Sequence, residues 1–151
     1  MLDDVDMPAV GEELLEDLKG TEAILVVDDD AMVRDVVSRM LREYGYTALE
    51  ATDGMDAINV AGKYDAPIHL VLTDVVMPEL TGRQLFFYLR GWYPSLRVLF
   101  MSGFSKGETA VKDFQDVVTA FIKKPFTQDD LVRKVRELLD TAPPPDDEIS
   151  G

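Results

Sequence analysis

The sequence of 151 residues contains no cysteine. This absence excludes a disulfide framework, a thiolate nucleophile and any metal site that uses cysteine sulfur. Basic residues are also scarce, because 15 Lys and Arg stand against 29 Asp and Glu and the formal net charge is −14. A chain this acidic is not expected to bind a phosphate backbone, so the sequence argues against nucleic acid as a partner.

Long apolar runs are missing as well. No run approaches the roughly 20 residues that span a bilayer, and the first residues, MLDDVDMP, lack the basic and apolar regions of a signal peptide. We therefore expect a cytoplasmic protein with no membrane segment. The length and the 46% hydrophobic content suit one domain with one well-buried core.

Composition divides the chain into three parts. Residues 1–20 are rich in acids and are predicted to form a flexible lead-in. The last residues, 141–151, read TAPPPDDEISG and are predicted to be a disordered tail, since they offer little to bury. The folded domain is predicted to span residues 21–140.

Five short apolar runs alternate with helical patterns inside that domain. The runs, each a predicted strand, lie at 23–27, 46–51, 68–73, 96–101 and 119–122. The clearest helical stripe consists of Val33, Val36, Val37, Met40, Leu41 and Tyr44. Capping-box spacings, Thr81 with Gln84 and Thr127 with Asp130, mark two helix starts. The alternation predicts an α/β fold, (βα) repeated five times, with a parallel sheet covered by helices on both faces.

Polar side chains follow four of the five predicted strands at the point where each strand ends. They are Asp28, Asp29, Asp74, Ser102 and Lys124. Functional groups of such sheets gather beyond the carboxyl ends of the strands. A single acid there is often only the cap of the next helix, which is the role expected of Asp30. Five complementary groups together indicate a site.

The chemistry of these groups points to phosphoryl transfer on a metal ion. Carboxylates that crowd together recruit a cation, and an oxygen cluster without His or Cys favours a hard ion such as Mg²⁺. Mg²⁺ takes one or two carboxylates together with phosphate oxygens. A lysine and a hydroxyl can then hold the phosphoryl oxygens while a carboxylate attacks phosphorus, which gives an aspartyl phosphate.

The motifs ILVVDDD, LTDVVMPELTG, FMSG and FIKKPF resemble the receiver domains of bacterial two-component response regulators, especially those of hybrid histidine kinases. The resemblance implies a doubly wound, flavodoxin-like fold with strand order 2-1-3-4-5. It also implies that Asp74 is the phosphoacceptor and that Asp29 binds Mg²⁺ directly. Asp28 is implied to hold the ion largely through water, and the backbone carbonyl of Val76 to be a further ligand beside Asp74.

The same resemblance assigns the remaining site residues. Ser102 matches the switch hydroxyl, Lys124 the lysine that pairs with the phosphoryl group, and Phe121 the rotating aromatic. Serine stands where threonine is frequent and phenylalanine where tyrosine is frequent, so an inward Phe121 is held by packing alone. The bond between Lys124 and Pro125 resembles the cis peptide of the family, which proline makes accessible.

The implied function is a phosphorylation-controlled switch in a phosphorelay, with a histidine kinase or a histidine phosphotransfer protein as the donor. Such a domain phosphorylates and dephosphorylates only itself and is not otherwise an enzyme. The face formed by residues 106–140 matches the one that receivers use for homodimers and targets. The chain is expected to be either a stand-alone receiver or the receiver portion of a hybrid histidine kinase.

Three alternatives are weaker. A haloacid dehalogenase phosphatase also joins an aspartate nucleophile to Ser or Thr, Lys and Mg²⁺, but Met32 breaks its DxDx[TV] motif and no cap domain is evident. A P-loop nucleotidase requires GxxxxGK[ST], which does not occur. A receiver-like scaffold without chemistry is disfavoured because every residue of the acid cluster is present.

Two apolar residues stand at positions that bear on the lifetime of the phosphoprotein. Val76 lies two residues after Asp74, and Phe104 lies two residues after Ser102. Neither side chain can orient a hydrolytic water, so we predict a comparatively long-lived acyl phosphate.

Aromatic residues are dense on the third predicted helix, at Phe86, Phe87, Tyr88, Trp92 and Tyr93. Half are expected to pack inward and half to face water, where they can mark a partner surface.

Overall fold

A computed structural model describes residues 16–77, 79–102 and 120–141. Its five strands are β1 (Ala23–Val27), β2 (Thr47–Ala51), β3 (Leu70–Asp74), β4 (Arg97–Ser102) and β5 (Ala120–Lys123). All neighbouring pairs are parallel, and the order across the sheet is β2-β1-β3-β4-β5. The predicted fold class and strand order are confirmed, and the predicted strand bounds differ from the observed ones by two residues at most.

The described residues contain four long helices, α1 (Ala31–Arg42), α2 (Gly54–Lys63), α3 (Gly82–Arg90) and α4 (Gln128–Asp140). Thr81 and Thr127 close the two predicted capping boxes with Gln84 and Asp130, which satisfies backbone N–H groups at the first turns of α3 and α4. Asp30 is the predicted cap of α1 and accepts from two backbone amides. The helix predicted between β4 and β5 falls within residues 103–119, outside the described ranges.

Apolar side chains on the two faces of the sheet form two separate cores. Leu25 and Val27 of β1 point to the face covered by α2 and α3, whereas Ile24 and Val26 point to the face covered by α1 and α4. This alternation explains why β1 is apolar at every position. Each fully buried Leu or Ile contributes roughly 1.5–3 kcal/mol relative to an exposed side chain. The rigid sheet therefore fixes the positions of whatever follows its strands.

The helical stripe of α1 was predicted with one residue too many. Val37 and Leu41 are buried, and Val33 and Met40 are half-buried against the core, but Val36 is 46% exposed. The apolar stripe of α1 is wider than the surface that the sheet and α4 cover. Val36 therefore remains on the exposed surface of α1.

The side chain of Arg136 on α4 joins the beginning of the domain to its end. Its guanidinium donates to Glu22 at 2.7 Å, to the carbonyl of Lys19 at 3.1 Å and to Asp140 at 2.9 Å. The hydroxyl of Tyr46 donates to the carbonyl of Leu18, whose side chain is buried. Residues 18–22 therefore pack on the folded body.

The predicted outer segments are only partly covered by the structure. Residues 1–15 and 142–151 lie outside the described ranges, so the flexible lead-in, the disordered tail and the domain bounds stay predictions. Among the residues that are described, no helix combines the length and apolarity needed to cross a bilayer.

Candidate functional site

Three acids meet at the carboxyl edge of the sheet because β1 and β3 are parallel neighbours. The register pairs Val27 with Thr73, so Asp28 and Asp74 leave adjacent strands at the same level. Oxygen atoms of Asp28, Asp29 and Asp74 all lie within 4.8 Å of one another. Together with Lys124 they are called the acid pocket below. The structure thus brings together the three carboxylates that the sequence singled out.

Lys124 reaches the same place from the far side of the sheet. It directly follows β5, where its backbone N–H donates to the carbonyl of Ser102 at 2.8 Å. Its ammonium nitrogen, Nζ, lies 2.7 Å from Asp74 Oδ1 and 3.0 Å from Asp28 Oδ2. The peptide bond between Lys124 and Pro125 is cis. One cation therefore bridges the carboxylates of two strands.

Burial and mutual repulsion set the protonation of the acid pocket. Burial, together with a smaller contribution from the nearby Asp28, raises the pKa of the Asp74 carboxyl to about 6 against the lowering effect of the Lys124 hydrogen bond. For the Lys124 ammonium, burial alone favours a lower pKa, but its hydrogen bonds to Asp74 and Asp28 outweigh burial and raise it. At neutral pH Lys124 is charged and Asp74 is mostly ionised.

Two contacts that the sequence analysis missed hold the buried Asp28 in place. The guanidinium of Arg34 on α1 donates to the backbone carbonyl of Asp28 at 2.7 Å. The backbone N–H of Asp30 donates to Asp28 Oδ1 at 2.8 Å. Arg34 follows Asp28 by six residues, and this spacing alone does not predict a contact, because the contact depends on how α1 lies over β1. Asp28 and Asp30 therefore have different roles. The side chain of Asp30 caps α1, and its backbone N–H orients the Asp28 carboxylate.

A glycine allows α3 to begin close to the Asp74 backbone. A Cβ atom on Gly82 would clash with the carbonyl oxygen of Asp74 and lie 3.1 Å from the ring of Phe100. The Gly82 N–H donates to the carbonyl of Val75 at 3.0 Å, which ties the loop after β3 to the first turn of α3. The position of Asp74 therefore depends on a close backbone contact as well as on the sheet.

The other predicted site residues lie around the acid pocket. Ser102 is buried at the end of β4, one residue beyond Met101, the register partner of Asp74. Phe121 is half-buried on β5, with its ring 5.5 Å from that of Phe100. Val76 is 51% exposed. Their predicted roles in switching and metal binding stay predictions, and Phe104 lies outside the described ranges.

The donor set of the acid pocket suits a hard divalent cation. Asp28, Asp29 and Asp74 offer carboxylate oxygens from two adjacent strand ends, and Asp29 is exposed, so an ion that retains its waters has room there. A hard ion also relieves the repulsion that raises the pKa of Asp74. The three residues fit Mg²⁺ by the chemistry of their oxygens.

An apolar cleft of about 350 Å³ opens beside the acid pocket. Its outer wall carries Met32, which is 78% exposed, and Val36, and its other side is formed by Pro125 and Phe126. Lys124 lines this cleft and also contacts Asp74, so the two features share a residue. The sequence analysis did not anticipate this surface, because Met32 lies in the first turn of α1 and Phe126 in a loop distant along the chain.

A family model described as the response regulator receiver domain matches residues 24–136. The chain is 34% identical over 128 residues to the sensor kinase CckA of Brucella abortus, covering 85% of this chain and 14% of that protein. It is 35% identical over 123 residues to the response regulator MprA of Mycobacterium tuberculosis, covering 82% and 53%.

A solved structure agrees with these matches. The receiver domain of the hybrid histidine kinase CckA superposes with a TM-score of 0.65 at 34% identity, covering 78% of this chain and 99% of that one. The chain covers 53% of the length of MprA and 14% of the length of CckA. The likeness therefore concerns one domain of those proteins.

Proposed function

The chain belongs to the response regulator receiver domain family, and we propose that Asp74 is the residue on which it accepts a phosphoryl group from a phosphohistidine donor. The family is one of phosphorylation-controlled switches in signalling relays. The haloacid dehalogenase alternative gains no support from the family match.

One observation carries the assignment of Asp74. Among the three clustered carboxylates, Asp74 has the closest contact with the Lys124 ammonium, at 2.7 Å, and its side chain keeps 15% exposure. Asp28 is almost fully buried and its oxygens accept from Lys124 and from the Asp30 N–H. Asp74 is therefore the acid that combines access for a phosphoryl group with a cation beside it.

The proposed transfer needs an ionised nucleophile. An Asp74 oxygen attacks phosphorus in line, the bond from phosphorus to the donor imidazole nitrogen breaks, and that nitrogen keeps the electron pair and takes a proton. A pKa of about 6 leaves the Asp74 carboxylate mostly ionised at neutral pH. The product is an acyl phosphate on Asp74 and a neutral histidine on the donor.

The remaining residues of the site are proposed to bind the metal ion and the phosphoryl group and to transmit the change to the surface. Bound Mg²⁺ supplies charge neutralisation for the phosphoryl oxygens, and Asp28, Asp29, Asp74 and the Val76 carbonyl are the groups proposed to hold it. The Lys124 ammonium donates hydrogen bonds to the new phosphoryl group, and the Ser102 hydroxyl donates another to the same group. Movement of Ser102 then lets Phe121 repack, which alters the surface that partners contact.

The direct test is phosphorylation by a small-molecule donor. The wild type, incubated with acetyl phosphate and Mg²⁺, is expected to gain one phosphoryl group by intact-mass spectrometry, and Asp74→Asn to gain none. Asp30→Asn is the matched control, because Asp30 lies beside the pocket but caps α1. Phosphorylation of Asp74→Asn at the wild-type level would refute the assignment.

We further propose that the donor protein docks on the apolar cleft beside the pocket. A donor must bring its histidine to Asp74, and the cleft that shares Lys124 with the pocket offers exposed apolar surface at that point. Met32→Glu is expected to slow transfer from a phosphorylated histidine donor by about tenfold, since one buried apolar contact is worth about 1.4 kcal/mol. Phosphorylation by acetyl phosphate remains unchanged.

The control for docking is a second exposed methionine. Met55 on α2 is 57% exposed and does not line the apolar cleft. Met55→Glu is expected to leave transfer from the protein donor unaltered. Equal slowing by both variants would mean that Met32 acts through general charge and not through docking.

The wider context of the domain is also a proposal. The match to a sensor kinase and to a response regulator, each longer than this chain, supports either a free receiver or a receiver portion of a hybrid histidine kinase. We propose a cytoplasmic location, self-phosphorylation and self-dephosphorylation as its only catalysis, and no contact with nucleic acid. The proposed homodimer face at 106–140 includes residues outside the described ranges.

A further inference from the structure

A second cleft lies at the opposite end of the sheet from the acid pocket. It encloses about 770 Å³ between the loop that leads into β3 and the loop that leads into β4. Its walls include three aromatic residues and two prolines: Tyr64, Trp92, Tyr93, Pro67 and Pro94. This volume lies within the range of roughly 300–1,000 Å³ that is typical of ligand sites. Nothing in the proposed phosphoryl transfer uses it.

We call this second cleft the aromatic cleft, and neighbouring side chains hold its aromatic rings in place. Trp92 packs edge-on against Tyr88, with ring centroids 5.4 Å apart, and its six-membered ring lies over Gly62. The hydroxyl of Tyr93 donates to the carbonyl of Ala61 at 3.3 Å. Trp92 nevertheless remains 46% exposed. Partly exposed aromatic faces held in place by their neighbours form the kind of surface that receives a polyproline II helix.

The chain carries a run of three prolines, Pro143–Pro145, and the described residue that precedes it by two positions, Thr141, lies beside the aromatic cleft. The carbonyl of Thr141 accepts from the guanidinium of Arg97, and another nitrogen of the same guanidinium donates to the carbonyl of Ser95 at 3.1 Å. Ser95 lines the aromatic cleft. The residues after Thr141 read APPPDDEISG. Four residues in the polyproline II conformation span about 12 Å, a length that can carry Pro143–Pro145 from Thr141 past Ser95 into the cleft.

We propose that the aromatic cleft is a binding site for the Pro143–Pro145 segment of the same chain. Proline loses little conformational entropy on binding because its φ angle is already fixed, so a short run suffices. The carbonyls of the segment are acceptors for the indole N–H of Trp92. Tyr64, Trp92 and Tyr93 provide the flat surfaces on which the pyrrolidine rings stack.

Charge favours this occupant over an arbitrary proline-rich peptide. The three residues after the prolines are Asp146, Asp147 and Glu148. The guanidinium of Arg97 donates to the carbonyl of Ser95 in the wall of the cleft, and the acid Asp65 also lines the cleft. Arg97 also donates to the carbonyl of Thr141, so it lies where the acidic segment begins and opposes the negative charge of Asp65.

Trp92 is the only tryptophan of the chain, so its fluorescence tests the proposal directly. The full chain is compared with a variant that carries Pro143→Ser, Pro144→Ser and Pro145→Ser. Acrylamide quenching of Trp92 is expected to be about twofold stronger in the variant, because the docked prolines pack on an indole that is otherwise 46% exposed. Ser150→Ala is the tail control and keeps wild-type quenching. Equal quenching of the wild type and the triple variant overturns the proposal.

Two further arms separate the possible occupants. A free peptide of the sequence TAPPPDDEIS, added to the triple variant, is expected to restore the protection of Trp92. Protection in the wild type is expected to persist on dilution, because the segment is attached to the cleft it occupies. Protection that disappears on dilution, with dimers in sedimentation velocity, means that the segment binds a second copy and refutes the intramolecular site.

Discussion

Replacement of Asp74 by asparagine is expected to stabilise the metal-free protein. Burial raises the pKa of the Asp74 carboxyl from 3.8 to about 6, so the folded state disfavours the ionised carboxylate despite Lys124. A difference of about two pKa units corresponds to about 3 kcal/mol at pH 8. Solvent that reaches the 15% exposed side chain screens part of this cost, which leaves about 2 kcal/mol. Asparagine has nearly the same shape and carries no charge.

The sign of the pH dependence follows from which state binds the proton more tightly. The folded state holds the Asp74 proton up to about pH 6, whereas the unfolded state releases it near pH 3.8. The wild type therefore loses stability as pH rises between these values, and the full penalty applies above pH 6. The advantage of Asp74→Asn is expected to be largest at pH 8 and about half as large at pH 5.

Urea denaturation in EDTA at pH 8 and pH 5 measures both quantities. Asp30→Asn is the control, because asparagine caps a helix as well as aspartate and the free energy of unfolding should change by less than about 1 kcal/mol. Added Mg²⁺ should narrow the gap at pH 8, since an ion that binds only the folded wild type offsets the repulsion. A variant that is no more stable than the wild type at pH 8, or a gap that does not shrink at pH 5, would refute this reasoning.

Three further predictions concern other parts of the domain. Gly82→Ala is expected to lower the free energy of unfolding by about 1–3 kcal/mol in thermal denaturation, because the added Cβ overlaps the Asp74 backbone. Gly62→Ala is the control and should be neutral or stabilising, because its Cβ meets only Trp92 at 3.7 Å. Equal losses of stability in the two variants would contradict the close contact at Gly82. The hydrogen bond from Arg136 lowers the pKa of the Glu22 carboxyl, so Glu22→Gln should cost about 1 kcal/mol at pH 7. That deficit should fade below pH 4.5, where the wild-type carboxylate itself becomes protonated, and a deficit independent of pH would count against the ion pair. Phe104→Glu should shorten the half-life of the phosphoprotein by allowing a water to be oriented, and an unchanged decay of the label would contradict the role assigned to Phe104.

Local sequence features were enough to place most of the secondary structure. The strands are runs of apolar residues because both faces of the sheet are covered, and the capping boxes at Thr81 and Thr127 fixed two helix starts. The strand order did not follow from the residues. It came from the resemblance to a family, since many orders satisfy the same alternation of strands and helices.

The acid pocket was predictable to the extent that its groups follow strands directly. Asp28, Asp74 and Lys124 are each the last residue of a strand or the residue after it, so the parallel sheet alone brings them to one edge. Arg34 was missed because its contact with the Asp28 carbonyl depends on how α1 lies over β1. The apolar cleft was missed for the same reason, since Met32 and Phe126 meet only after folding.

The contacts of Arg136 have a consequence for the architecture of longer proteins that contain this domain. They hold Lys19 and Asp140, near the two ends of the described body, against one side chain. Polypeptide therefore enters and leaves the domain at neighbouring points, as in domains that tolerate insertion into a host sequence. A circular permutant that joins these ends through a short linker should fold. In a longer protein, modules that precede and follow this domain would be attached close together on its surface.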